Sequence, residues 1–201
     1  MVRNRFFLPV RWRFMKLKKI NAVAGLLACL TLLIHVCYNI YAYLTFYYNP
    51  TLKILTAIPF IVITCVHAVC GMCAVFLHGD GTRLDVYQKQ NRQTIIQRVS
   101  AALIFPLLIL HIRNFDLLKT SAGNENWPFF ALLIFLQVVF YAVVAAHVSV
   151  SVSRALITLG ILTDREKQKK MERFMLAFCA VLFTAAVFAV IKGQLKMFLP
   201  D

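Results

Sequence analysis

Five long apolar runs, separated by short polar connections, organise the whole chain. They cover about Ile20–Phe46, Ile54–His78, Thr94–Ile112, Phe129–Leu162 and Phe174–Ile191. Each matches the roughly 20 residues that carry a helix across a hydrocarbon core. Allowing for the turns that flank each run, the spans fall at about 20–46, 54–78, 94–115, 128–162 and 171–193. The expected fold is all-α, a five-helix transmembrane bundle. A basic segment over 1–19 precedes a membrane domain over 20–194, and a short tail over 195–201 follows it. Little chain is left for a soluble domain.

Composition points the same way. Of the 201 residues 61% are hydrophobic and 15% charged, and mean hydropathy is +0.74. A soluble domain of this size has nowhere to hide that much apolar surface. The formal net charge of +14 would suit nucleic acid if it formed one patch, but it does not. Arg3, Arg5, Arg11, Arg13, Lys16, Lys18 and Lys19 precede the first run. Arg83, Lys89, Arg92 and Arg98 separate the second from the third, and Arg165, Lys167, Lys169, Lys170 and Arg173 the fourth from the fifth. The other two connections hold only Lys53, and Arg113 with Lys119. Basic residues that alternate in this way mark cytoplasmic loops. They predict a cytoplasmic N-terminus in a cell inner membrane and membrane lipid, not nucleic acid, as the partner. The first run is too long for a cleaved signal. Cys29, Cys37, Cys65, Cys70, Cys73 and Cys179 all lie within the runs, where they read as packing residues. The absence of Cys-x-x-Cys-His removes covalent c-type haem attachment.

Among these runs four histidines stand out, one in each of the first four: His35, His67, His111 and His147. A polar ring in hydrocarbon is expensive and usually faces a bundle interior. A single one is readily explained by a hydrogen bond to another helix. Four on successive helices are what two bis-histidine haems b would require, neutral imidazole being a good iron ligand. Zinc fits less well, since neither Cys nor carboxylate joins at ligand spacing. Depth sorts the four. His111 lies two residues before Arg113, near the outer edge. His147 lies twenty residues after Trp127, roughly 30 Å at the helical rise, near the inner edge, so these two cannot share an iron. His67, roughly 16 Å from His78, and His35, roughly 24 Å past Lys19, are nearer the middle. The depths lean toward His67 with His147 and His35 with His111. His78 shares a helix face with His67, as an interfacial cap or a propionate contact. Arg154, two turns below His147, either pairs with a propionate or snorkels to the surface.

The connections support a membrane reading. Tyr47, Tyr48, Asn49 and Pro50 form a short aromatic turn, and the loop Ser121–Pro128 ends at the interface anchor Trp127. Gly79–Arg83 reads as a turn, and Asp164–Lys170 as a solvated hairpin. Pro59 and Pro106 should kink their spans or mark their ends. The fourth span, running on to Gly160, is longer than a bilayer requires. A short internal echo relates Val66-His67-Ala68-Val69-Cys70-Gly71 to Ala146-His147-Val148-Ser149-Val150-Ser151. In both, a small residue follows one turn after the His, and small residues permit close approach to a backbone.

The segment Thr94-Ile95-Ile96-Gln97-Arg98-Val99-Ser100 resembles the Ser-x-x-x-Arg-x-Ser motif of cytochrome b subunits of succinate dehydrogenase. Ala146-His147-Val148, with Gly160 thirteen residues after the His, is similar to their haem-binding helix. The whole chain resembles the single-subunit dihaem anchors of succinate dehydrogenases and fumarate reductases. That resemblance implies the same pairing: second span with fourth, first with third. It implies docking of a flavoprotein and an iron–sulfur subunit on the cytoplasmic face, and exchange of electrons with a quinone, menaquinone in these anchors. It places quinone contacts on Thr94, Arg98 and Ser100. Ala101 and Ser151 stand where that family has glycines, and no Asp or Glu falls within the apolar runs. Two other readings stay open. One is a dihaem cytochrome b of another respiratory oxidoreductase, such as formate dehydrogenase or hydrogenase. The other is a haem-free transporter or assembly protein, although broken helices or intramembrane acids would be expected of a transporter.

Overall fold

A computed structural model describes residues 8–78 and 88–199, with side chains placed for residues 16–76 and 91–199. Five helices account for nearly all of it: α1 (Leu8–Thr45), α2 (Pro50–His78), α3 (Gln88–Gly123), α4 (Trp127–Thr158) and α5 (Arg165–Phe198). Each carries a stretch long and apolar enough to cross a membrane, and no strand occurs among the described residues. The fold is the expected all-α bundle of a multi-pass membrane protein. Arg3, Arg5, the Gly79–Arg83 turn, the side chains of Arg11, Arg13, His78 and Lys89, and residues 200–201 fall outside what is described.

The helices outrun the apolar stretches that seed them. α3 extends past Ile112 to Gly123 and so takes in Asp116; α5 starts at Arg165, so that the charges read as a hairpin form its first turns. Lys and Glu are good helix formers once clear of hydrocarbon, and there Glu172 accepts a bond from Gln93 Nε2 at 3.2 Å and Lys169 pairs with Glu166 at 3.0 Å. Local chemistry stops the helices. Gly160 takes φ +78°. Its N–H bonds the Ile157 carbonyl and that of Ile161 the Leu156 carbonyl. This Schellman closure ends α4 at Thr158, short of the expected Leu162. Asp164 then caps α5 by accepting from Glu166 N. Pro59 and Pro106 lie inside continuous helices. The turn between α1 and α2 is tied by Tyr38, whose hydroxyl donates to the Asn49 carbonyl at 2.8 Å.

Polarity is inverted relative to a soluble core. Phe76, Phe105 and Val181 are 85%, 71% and 71% exposed, which only lipid makes tolerable. Buried inside are Ser100, Asn114, Ser121, Gln137, Ser149, Ser153 and Gln194, hydrogen bonds between helices being what holds such bundles together.

The ends of the bundle differ. Thr94 beside Arg154 and Gln93 beside Glu172 show that α3 and α5 begin where α4 ends. This basic end also gathers Lys16, Lys18, Lys19, Arg92 and Arg98. At the aromatic end Lys196 sits 4.6 Å from the Phe46 ring, with Tyr47 and Tyr48 in the turn after α1 and Trp127 opening α4. α1 and α4 form the centre: α1 packs on α2, α4 and α5, and α4 on α3, α1 and α5. The backbone of α2 packs on α1 alone among the described residues. Among the described residues no Cα of α2 comes within 8 Å of α3, α4 or α5, and none of α1 within 8 Å of α3.

Candidate functional site: two tiers of histidines

Across the slot between α2 and α4, His67 and His147 face each other. Their ring centroids are 6.5 Å apart with planes at 70°. His67 Nδ1 lies 3.1 Å from the Asn21 carbonyl on α1. A carbonyl can only accept, so Nδ1 carries the hydrogen and Nε2 is left with its lone pair. His147 Nδ1 lies 3.1 Å from the Gln97 carbonyl on α3 and 3.0 Å from Ser100 Oγ. The Ser100 hydroxyl donates in turn to the Ile96 carbonyl at 2.6 Å, so His147 Nδ1 is again the donor. Both rings have the outer-sphere bond that fixes the tautomer of a metal-ligating histidine and leaves Nε2 free to coordinate.

The spacing suits a shared metal. With metal–nitrogen bonds of about 2 Å and a ring radius of about 1 Å, two imidazoles on opposite sides of one ion have centroids roughly 6 Å apart. Gly25 makes room for one of them. A Cβ on Gly25 would fall 2.9 Å from His67 Cε1 and 3.1 Å from its Nδ1, closer than atoms pack. Among the described residues no three His, Cys, Asp or Glu side chains converge. A metal held by this pair would therefore bring its other donors with it, as porphyrin iron does. The inner residues fit that group.

The second tier lies toward the aromatic end. His35 stacks on Phe60 of α2 (5.9 Å, 16°), and His111 on Phe140 of α4 (4.9 Å, 29°). Asn39 Nδ2 donates to His35 Nε2 at 3.2 Å. The Nδ1 atoms of His35 and His111 are buried without a hydrogen-bond partner among the described residues. No close ring contact joins this pair as it joins the inner one.

The echo seen in the sequence proves to be a repeat of positions. The carbonyl that holds each inner His comes from a residue fourteen positions before the outer His of the same half: Asn21 before His35, Gln97 before His111. The Phe under each outer His lies seven positions before the inner His of the next helix: Phe60 before His67, Phe140 before His147. The small residue four positions after each inner His faces the residue supplying that carbonyl. Gly71 lies against the Asn21 side chain, and Ser151 Oγ accepts from Gln97 Nε2 at 3.0 Å. The α1–α2 and α3–α4 hairpins are thus two versions of one unit. Each contributes one histidine to the inner tier and one to the outer.

The remaining predicted residues cluster at the basic end. Arg154 donates to Thr94 Oγ1 at 2.7 Å, and Arg98 is close enough for its charge to act on Arg154. Ser100 is buried and faces His147. Three contributors escaped the sequence reading: Asn21 and Gln97, which act through backbone carbonyls; and Gly25, which acts by lacking a side chain. The fourteen-residue spacing was the one signal that would have found the two carbonyls.

Comparison with protein-family models, with curated proteins and with solved structures finds no match. The fold and composition define a five-helix, multi-pass membrane protein.

Proposed function

We propose that the chain is a dihaem b-type membrane anchor passing electrons between a docked redox module and membrane quinone. The observation that carries this reading is the inner pair: two facing imidazoles, each with Nδ1 held by a carbonyl from the neighbouring helix and Nε2 free. His67 and His147 would hold the inner haem, His35 and His111 the outer one. When bound, such a group supplies reversible one-electron chemistry; the protein supplies ligation, orientation and electrostatics. Asn21, Gln97 and Ser100 orient the inner ligands, and Gly25 leaves the space one of them occupies. The basic end faces the cytoplasm in this reading and supports docking of an acidic flavoprotein and iron–sulfur partner. Arg154, which donates to Thr94 two turns below His147, and Arg98 near it offer cations to propionates or to a quinone oxygen.

The test is haem content. Purified protein should show b-type absorption and about two haems per chain by pyridine haemochrome assay, from four histidines used pairwise. A folded, haem-free preparation from haem-replete cells would exclude the assignment.

A further inference from the structure

The repeat breaks beside His111. In the α3–α4 half Asn114 lies one turn after His111, and Gln137 lies one turn before Phe140. The matching positions of the α1–α2 half, Tyr38 and Ala57, hold no amide. Asn114 Nδ2 donates to Gln137 Oε1, which also accepts from Gln194 Nε2 of α5 at 3.0 Å. Gln137 Nε2 donates onward to the Tyr141 hydroxyl at 2.6 Å. Asn114, Gln137 and Gln194 are 5%, 6% and 1% exposed. This buried amide chain borders a cavity of about 10 Å³, whose polar walls are His111, Asn114 and Gln137 and whose apolar walls include Leu110, Leu133 and Phe140.

A cavity of that size with polar partners is at the threshold for one water molecule, and His111, which lines it, has a buried Nδ1 with no hydrogen-bond partner among the described residues. We propose that this cavity binds one water, which accepts the Nδ1 hydrogen of His111 and donates to the Asn114–Gln137 pair. The water does for His111 what a carbonyl does for each inner histidine. Its effect on a cofactor rests on the haem reading. A ligand whose Nδ1–H is strongly accepted is more electron-donating, which lowers the midpoint potential of the haem it holds. His35, which has Asn39 at Nε2 and no amide at the matching positions Tyr38 and Ala57, lacks the device.

Water-edited solid-state NMR on the reduced, ¹⁵N-histidine-labelled protein in lipid reads the water directly. Polarisation should pass from water to His111 Nδ1. The transfer should be lost in Asn114→Leu, which replaces the amide by an apolar group of similar volume, and kept in Asn39→Leu. Gln137→Met gives the same test should Asn114→Leu not fold. Alongside the loss, the outer haem midpoint should rise and the inner stay fixed. Absent transfer in the wild type, or transfer surviving both substitutions, overturns the site. Lost transfer with an unmoved outer midpoint overturns the tuning. A preparation without haem overturns the haem reading, yet the transfer is still read on the chain itself.

Discussion

The inner and outer tiers use the same residue type on the same four helices, yet they are built on different logic. In the inner tier each Nδ1 is fixed by the backbone of a neighbouring helix, and the rings already face each other at 6.5 Å. In the outer tier each ring lies on a phenylalanine, and its Nδ1 makes no protein hydrogen bond among the described residues. One pair is anchored at Nδ1 by backbone carbonyls; the other rests on phenylalanine rings, with Asn39 donating to His35 Nε2 besides. The lesson is that histidine in a span says little by itself; what its second nitrogen meets decides which ring is poised to coordinate. Carbonyl anchors belong to the helix backbone and survive side-chain substitution, so the inner tier should be the more robust of the two.

The largest effect expected is loss of a whole cofactor. His147→Ala should remove one haem, leaving a spectrum that matches His67→Ala and differs from His35→Ala. If it matched His35→Ala instead, the two tiers would not be separate sites. A smaller effect is expected from Gly25→Ala, whose new methyl meets the His67 ring. Overpacking of this kind costs about 1–3 kcal/mol. The thermal midpoint should fall, and only the inner haem should change its spectrum; an altered outer haem would mean the tiers are mechanically coupled. The smallest effect belongs to Ser100→Ala. His147 Nδ1 keeps the Gln97 carbonyl when the hydroxyl is removed, so the loss should be one hydrogen bond, about 0.5–1.5 kcal/mol, with both haems retained. Loss of the inner haem in Ser100→Ala would show that the hydroxyl, not the carbonyl, is the anchor.

The fold was legible because a bilayer imposes so simple a rule: a span must be apolar and about 20 residues long. Helix ends were less so. Arg165–Lys170 looks like a loop by polarity, but its residues are helix formers that follow the Asp164 cap. Of the site, the histidines showed plainly because imidazole is anomalous in hydrocarbon. Asn21 and Gln97 did not, since a backbone carbonyl has no residue type. Asn114, Gln137 and Gln194 sit far apart in sequence among leucines and phenylalanines, and only the packing of α3, α4 and α5 reveals them as one cluster.

The isolation of α2 has a consequence for assembly. α3, α4 and α5 pack on one another and α1 packs on α4 and α5, whereas among the described residues the backbone of α2 packs on α1 alone. Closely packed helices would have to be prised apart to admit a flat macrocycle. Beyond α1, α2 meets the bundle through the His67–His147 ring contact, so displacing it would leave α1 packed on α4 and α5 and α3 packed on α4. In the proposed function α2 is therefore the door and His67 its latch. The bound cofactor would tie α2 to the bundle, so that haem loading and completion of the fold become the same event.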